Sequence, residues 1–411
     1  MRKLRENIKL FNVKGIDMLG NPRTGAIIGL TQSGRLFIES LYNDGVDATE
    51  SYSGEQYSIV QALETMDFID TGDSDIPLRS AYVHLTDHCN LHCIGCYSLV
   101  DDRNKHQDLS GDQFLALLDK LAASGVRQVV FSGGEPTMHH DTPRIAQHAK
   151  SLGMRVILIT NGTIAPKRVL SIVPYLDVLS VSIDGYDNDS TFLRDPGIMN
   201  RILSFIEEMK KHTNVHLIVT LHRQNVPFML KYVELARQEK VTFNFSILTV
   251  APDDPTCADF ILRDPDLAEI SRVMNETEDL YVEESVLARL KDGSFALTCV
   301  DRCGVACKLV SVAADGSVYP CHMLHNDQLV LGNIINEDLP TILQRGRYIA
   351  DITVDEIEEC MDCQFKYLCG GGCRARSFLY YGDFYHRDPF CPMTFGFLDA
   401  QTDKFEELTT V

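Results

Sequence analysis

The chain predicts an α/β fold centred on a parallel sheet, open or curled into a barrel, over residues 79–250. Three observations carry that prediction. Apolar runs of strand length recur at 82–85, 128–131, 155–159, 178–183, 216–221 and 242–248. Helical stretches at 111–123, 142–151, 166–173, 199–211 and 228–239 fill the gaps, and such alternation implies βαβ units. Polar, glycine-bearing motifs follow the strand ends, where parallel sheets gather their ligands.

Residues 1–74 read as a small mixed unit. Apolar runs at 8–11 and 26–30, with Gly, Asn and Pro between them, predict strands joined by turns. Residues 33–42 and 55–68 have apolar positions at helical spacing, such as Ile59, Ala62, Leu63 and Met66. A polar linker follows at 71–77. The unit has no cysteine, so binding is its expected role. Residues 251–298 are expected to form a helical bridge, and 299–411 a cysteine-rich region.

The 411 residues suffice for about two to three domains. A formal net charge of -20 argues against nucleic acid as a partner, since phosphate binding needs a basic surface. The N-terminus starts basic but lacks the apolar stretch of a signal peptide, and no run approaches the roughly 18 apolar residues of a membrane span. A cytoplasmic location is therefore expected, where thirteen cysteines read as metal or redox chemistry rather than disulfides.

Three of those cysteines, Cys89, Cys93 and Cys96, are spaced C-x3-C-x2-C just past the first strand. Iron–sulfur clusters are normally held by four cysteine sulfurs. Three thiolates leave one iron of a cubane open to another ligand. A structural zinc site is the alternative at this point, because His84, His88 and His92 lie close by.

Each later strand end carries polar groups. Ser132-Gly133-Gly134-Glu135-Pro136 combines glycines that permit close backbone approach with a carboxylate able to hold an ammonium group. Thr160-Asn161-Gly162-Thr163 follows the third strand. Ser182 and Asp184 are two apart, hence on one side of a strand, and Arg194 comes ten residues later. Singly, such motifs are mostly turns and surface positions. Together they string donors and acceptors around one mouth.

In these motifs the chain resembles radical S-adenosylmethionine enzymes across about residues 79–250. The resemblance implies a partial (β/α)6 barrel in which Cys89, Cys93 and Cys96 hold a 4Fe–4S cluster whose open iron binds the methionyl end of S-adenosylmethionine. It further implies Tyr97 near adenine; Gly133, Gly134 and Glu135 at the methionyl amino group; Ser182 and Asp184 at the ribose; and Arg194 at the methionyl carboxylate. Asn161, at the third strand end, joins this cofactor set. One electron from the cluster would then cleave the sulfonium to a 5′-deoxyadenosyl radical.

Nine cysteines lie between 299 and 391. Cys303-x12-Gly316-x4-Cys321, then Cys360-x2-Cys363-x5-Cys369-x3-Cys373, then Cys391, resembles the SPASM domain that follows many radical enzymes acting on peptides. It implies two auxiliary 4Fe–4S clusters, one on Cys299, Cys303, Cys321 and Cys373, the other on Cys360, Cys363, Cys369 and Cys391, making three in all. A zinc ribbon is the alternative for the Cys360 group. Cys307 is then spare, although Cys299, Cys303 and Cys307 are equally spaced, and Cys257 is a lone thiol.

Residues 1–74 resemble the winged-helix peptide-recognition element of ribosomal peptide maturation systems, which adds a leader peptide as a strand to a sheet edge. The alternative is a structural cap. The expected function is a radical oxidoreductase that modifies a ribosomally made precursor peptide by a C–C, thioether or related crosslink. Its electrons would come from a flavodoxin or ferredoxin. Rival readings are an anaerobic sulfatase-maturating-type enzyme, a maturase of a peptide-derived cofactor, and a non-catalytic iron–sulfur carrier. The catalytic acid or base is not readable, and His322 and Tyr319, which flank Cys321, are the candidates.

Overall fold

The computed structural model describes residues 3–46, 52, 54–72, 78–98, 104, 107–277, 287–289 and 295–409. Most of the expected polar linker, 73–77, and much of the expected helical bridge, 278–286 and 290–294, lie outside the described residues.

The N-terminal unit is a three-stranded antiparallel sheet followed by two helices. Strands β1 (Lys9–Val13), β2 (Ile16–Gly20) and β3 (Ile27–Leu30) lie in the order β1-β2-β3, ahead of helices α1 (Gln32–Asp44) and α2 (Gly54–Thr65). Lys14 and Gly15 turn the first hairpin with φ of 47° and 87°, as a two-residue turn matched to strand twist requires. Thr31 caps α1 by accepting from the Gly34 N–H at 3.0 Å. Leu19, Ile38, Leu63 and Phe68 are fully buried between sheet and helices. Strand β2 is absent from the sequence reading, because Asp17 and Gly20 break its apolar run and pairing on both edges holds it.

The central sheet comes next in the chain. Strands β4 (Ser80–Thr86), β5 (Gln128–Gly133), β6 (Arg155–Thr160), β7 (Val178–Ile183), β8 (Val215–Leu221) and β9 (Thr242–Ile247) pair in parallel and in sequential order. Between and after them run α3 (Gly111–Ala123), α4 (Thr142–Ser151), α5 (Pro166–Leu170), α6 (Met199–Met209), α7 (Met229–Glu239) and α8 (Asp264–Glu276). Helix α5 stops three residues before its expected end. Pro174 disfavours helical backbone at Val173, and a separate 3₁₀ turn covers Val173–Tyr175. Strand residues Phe131, Leu158, Val181 and Leu217 are fully buried in one core with Leu117, Ile145, Ile202 and Ile206 of the helices. In the expected helical bridge, α8 is followed by an antiparallel pair, β10 (Leu287–Arg289) and β11 (Phe295–Leu297).

The cysteine-rich region extends the same sheet. Strand β12 (Leu309–Val312) pairs in parallel with β4, and β13 (Ser317–Tyr319) and β14 (Gly332–Asn333) continue it antiparallel. Helices α9 (Leu339–Arg345), α10 (Arg347–Ala350), α11 (Lys366–Cys369), α12 (Arg374–Tyr381) and α13 (Cys391–Thr409) follow. Gln401 of α13 donates to Asn275 of α8 at 2.8 Å, tying the C-terminal helix to the central α/β unit. The N-terminal sheet docks here as well. Lys9 pairs with Asp355 at 2.8 Å, Lys14 with Asp399 at 2.8 Å, and Phe11 meets Tyr367 edge-on at 5.4 Å. No helix among the described residues is long and apolar enough to cross a membrane.

Candidate active site at the strand ends

Cys89, Cys93 and Cys96 lie half-buried on the loop that leaves β4. The segment after β5 zips onto that loop: the Gly134 N–H donates to Thr86 O at 2.7 Å and the Glu135 N–H to His88 O at 2.8 Å, next to Cys89. Only glycine fits. A Cβ on Gly134 would lie 2.2 Å from His88 O, and Gly133, at φ 122°, would meet Thr86 O at 2.4 Å. From the far end of the loop, Ser98 Oγ donates to Gly133 O at 2.7 Å. The Ile94 N–H donates to Leu193 O at 2.8 Å, so the loop also leans on the segment that carries Arg194.

The acidic side chains turn inward instead of toward the mouth. Glu135 is fully buried, and its carboxylate accepts from the Thr137 N–H (3.1 Å) and hydroxyl (2.6 Å), the Thr160 hydroxyl (2.9 Å) and the Asn161 N–H (2.8 Å). Burial pushes this carboxyl above the ordinary range, outweighing those hydrogen bonds. Four donors of its own neighbourhood thus reach this carboxylate. It clamps the β5 and β6 ends together. Asp184 Oδ2 likewise accepts from the N–H groups of Phe192 (2.6 Å), Leu193 (2.7 Å) and Arg194 (3.1 Å), folding the Arg194 segment. Burial opposes its ionisation, but His222, these N–H groups and Arg194 hold its pKa below the usual carboxylate range.

The other sequence-predicted groups stay available. Ser182 is half-buried on β7 and has no side-chain interaction among the described residues. Arg194 faces the triad, where its charge opposes the burial that pushes the Cys93 thiol up to about 11, and its buried Nη1 has no hydrogen-bond partner among the described residues. Asn161 Nδ2 donates to Asn90 Oδ1 at 2.9 Å and stands 4.0 Å from Cys89 Sγ. The exposed Tyr97 shares a 2.6 Å hydrogen bond with Ser132.

The later cysteines fall into two neighbourhoods. Burial pushes the Cys360 thiol up to about 11, and the Cys391 and Cys363 thiols push the same way, as Cys391 and Cys360 do at Cys369. Cys360, Cys363, Cys369 and Cys391 are thus one group. Cys303, Cys321 and Cys373 pack instead around Leu324, Ala375 and Phe384. Cys299 stands apart from both. Its sulfur would lie 2.4 Å from a Cβ on Gly20, its N–H donates to Gly25 O at 2.9 Å, and its charged neighbours are Asp301, Lys9 and Lys308. Cys299 is thus packed against the N-terminal sheet. Cys307 neighbours Cys303, and between them the Ala306 N–H donates to Pro320 O at 3.0 Å, one residue before Cys321. Cys257 is fully buried.

Histidines line the space between the two regions. His322 stacks on Tyr82 at 4.0 Å, meets Tyr97 edge-on at 5.6 Å and has Nδ1 3.8 Å from Cys321 Sγ. His325, which the sequence reading missed, stacks between His84 (4.4 Å) and Tyr319 (4.3 Å). Burial pushes both His322 and His325 down to about 4. Their spacing after Cys321 was the one available signal. A cavity of about 240 Å³ opens beside them, walled by Cys96 and Tyr97, by Thr249 and Asp254 past β9, by Met323 and His325, and by Phe378 on α12.

Comparison with known proteins matches two stretches of the chain. Residues 83–236 match the radical SAM superfamily, and residues 303–364 match the SPASM iron-sulfur cluster-binding domain. The chain carries a radical SAM domain followed by a SPASM domain. The SPASM match runs from Cys303 to residue 364, so Cys299, Cys369, Cys373 and Cys391 all lie outside it. Among similar proteins, Fe-coproporphyrin III synthase of Methanosarcina barkeri is 27% identical, over 76% of this chain and 87% of that one. PqqA peptide cyclase of Rhodopseudomonas palustris is 26% identical, over 78% and 88%. The solved structure of Streptococcus suis SuiB bound to precursor peptide SuiA is similar in fold, at TM-score 0.61 and 17% identity, covering 95% of this chain and 100% of that one.

A radical SAM domain uses S-adenosylmethionine and a 4Fe–4S cluster, and the residues of the strand ends fit both. The unspent Arg194 Nη1 beside Cys93 suits an anion, and the unspent Ser182 hydroxyl suits a polar ligand.

Proposed function

We propose that this radical SAM protein is a peptide maturase that abstracts hydrogen from a ribosomally made precursor peptide and forms a C–C, thioether or related crosslink. The observation that carries this reading is the cavity shared by Cys96 and Tyr97 of the triad loop and Met323 and His325 of the SPASM domain. A substrate seated there meets the radical-forming site on one wall and the auxiliary-cluster region on the other.

The bound cluster and S-adenosylmethionine supply the 5′-deoxyadenosyl radical. The chain's own residues position them. Cys89, Cys93 and Cys96 hold the cluster, on a loop fixed by the Gly133 and Gly134 backbone. Arg194, held by Asp184, takes the methionyl carboxylate. Ser182 meets the ribose, and Tyr97 with Asn161 borders the adenosyl group. Glu135 acts as a clamp. Two auxiliary clusters fit the cysteine neighbourhoods, one on Cys303, Cys307, Cys321 and Cys373, the other on Cys360, Cys363, Cys369 and Cys391. Residues 1–74 serve as a winged-helix-like leader-recognition element beside a barrel at 79–250, a bridge at 251–298 and the SPASM domain at 299–411. A cytoplasmic flavodoxin or ferredoxin supplies electrons.

Anaerobic incubation with dithionite and S-adenosylmethionine should yield 5′-deoxyadenosine, and its absence with every peptide would sink the enzyme reading. Co-expression with the short peptide encoded beside the gene should yield a mass loss in the peptide. Turnover of an iron tetrapyrrole with no peptide change would move the assignment to the Fe-coproporphyrin-type relatives.

A further inference from the structure

Four cations stand side by side at the end of the sheet opposite the triad. Lys308 immediately precedes β12, Arg79 precedes β4, Arg127 precedes β5 and Arg155 opens β6. Their backbones are joined in that order: the Arg79 N–H donates to Lys308 O at 2.9 Å, the Arg127 N–H to Arg79 O at 3.0 Å and the Arg155 N–H to Arg127 O at 2.8 Å. The row therefore crosses four neighbouring strands, which lie about 4.8 Å apart. Its three arginines are exposed and, with Ser80, Gly125 and Gln128, wall a hollow of about 620 Å³.

Like charges on adjacent strands repel unless something negative lies among them. The chain has 58 acidic residues against 38 Lys and Arg, yet no carboxylate among the described residues pairs with any member of this row. Arg127 Nη1 donates to the neutral Ala122 O and Val126 O, and Arg155 Nη1 to Gln128 Oε1. Asp177, at the start of the next strand, is taken by Lys150 at 2.6 Å and by the Val156 N–H at 2.8 Å.

An anion that covers the row must span several strands, as an acidic protein surface does. The net charge of -20 turns such a protein away elsewhere, so a local basic row both attracts it and fixes where it lands. The position says what kind of protein. Lys308 follows Cys307 directly, and the Lys308 and Leu309 N–H groups close the turn onto Gly304 O at 2.8 and 3.1 Å, next to Cys303. The triad is at the other end of β4, seven residues away at about 3.3 Å each. A partner on the row sits beside the Cys303–Cys307 turn and leaves the mouth of the site clear.

We propose that Lys308, Arg79, Arg127 and Arg155 dock an acidic one-electron carrier of the flavodoxin or ferredoxin kind on the side of the Cys303–Cys307 turn. The docked carrier loses one electron and an iron–sulfur group of this chain gains it, with no bond made or broken. This rests on the reading of the chain as a reductant-driven radical enzyme with metal on Cys303 and Cys307.

The reconstituted full chain is assayed for 5′-deoxyadenosine with two reductants: reduced bacterial flavodoxin below saturation, and dithionite, which needs no docking. The Arg79→Glu/Arg127→Glu/Arg155→Glu variant should lose at least about tenfold of the flavodoxin-supported rate and keep the dithionite-supported one. The parent's flavodoxin-supported rate should fall as salt rises from about 0.01 M to about 0.1 M, where the Debye length shrinks from about 30 Å to about 10 Å. A flavodoxin-supported rate that the charge reversal leaves unchanged overturns the proposal. Arginine footprinting of the parent decides if the variant does not fold. Oxidised flavodoxin should protect Arg79, Arg127 and Arg155 from phenylglyoxal, read by mass spectrometry, and leave the exposed Arg144 on α4 reactive. Equal modification with and without flavodoxin overturns the docking. A parent that makes no 5′-deoxyadenosine with dithionite defeats the radical reading alone, and the footprint still decides where the carrier lands.

Discussion

Cys89, Cys93 and Cys96 sit on a half-buried loop whose neighbours keep polar atoms unspent, Arg194 Nη1 and the Ser182 hydroxyl, beside a cavity of about 240 Å³. Cys360, Cys363, Cys369 and Cys391 sit among buried arginines, Arg374 and Arg376, with Asp388 bridging Arg376 to the Cys373 and Phe390 N–H groups. The first arrangement leaves room for a ligand that arrives and leaves. The second surrounds its group with a buried ion pair, although Cys363, Cys369 and Cys391 are as half-buried as the triad and only Cys360 is buried. The contrast lies in how each shell spends its hydrogen bonds, since the cysteines themselves are the same side chain.

The largest break in that contrast comes from the open site. With the two auxiliary clusters proposed above assembling independently of the triad, Cys93→Ala should abolish 5′-deoxyadenosine formation while roughly two thirds of the iron remains. Iron analysis and product chromatography check both halves. Loss of all iron would mean that the two regions fold as one. Next in size is Gly134→Ala, whose Cβ would lie 2.2 Å from His88 O. That backbone cannot yield without moving Cys89, and a displacement of the order of 1 Å costs about 10²-fold in rate. S-adenosylmethionine cleavage should fall by that much at unchanged auxiliary-cluster EPR.

Much of this contrast was legible in the sequence, and the limits are instructive. The six parallel strands follow from run length and alternation, because strands buried on both faces read as continuous apolar stretches. Strand β2 does not, since Ile16–Gly20 is held by pairing on both edges, which is tertiary. The triad and the glycines were legible because their spacing is the chemistry. The backbone N–H groups that Glu135 and Asp184 accept from were not. Whether a carboxylate faces a ligand or its own loop depends on which N–H groups converge on it, and spacing along the chain does not encode that. Cys299 and Cys307 are equidistant from Cys303, so only the packing of Cys299 against Gly20 separates them.

The side with the buried ion pair is tested by stability. Burial opposes ionisation of Asp388, but the Arg376 charge and the hydrogen bonds from Arg376, Cys373 and Phe390 outweigh it and hold the carboxyl below its ordinary range. A depressed folded pKa stabilises the protein above the unfolded value of about 3.9, and the gain is lost as pH falls through the folded value. Asp388→Asn leaves the Arg376 charge uncompensated and should cost about 3–5 kcal/mol at pH 7. Denaturant titration should show the gap to the parent narrowing below about pH 4. A constant gap would mean that the pair contributes only shape.

The smallest effect is expected where the N-terminal sheet meets the cysteine-rich region. Burial pushes the Asp355 carboxyl up, but hydrogen bonds from Lys9, Tyr367 and Lys366 and the Lys9 charge hold it at about 2. Lys9 and Asp355 are both partly exposed, so water screens the pair, and Lys9→Ala should cost no more than about 1 kcal/mol. That contribution is present above the unfolded carboxyl pKa and fades as pH falls toward about 2, so parent and variant should converge in acid. Lys9 touches nothing at the open site, and 5′-deoxyadenosine formation without peptide should match the parent's. If the sheet is a leader-binding element and not a cap, the variant's coupling of cleavage to precursor peptide should weaken instead, because Phe11 and Lys9 hold β1 against Tyr367, within the Cys363 to Cys369 segment. Equal coupling in parent and variant would leave the sheet as a cap on the cysteine-rich region.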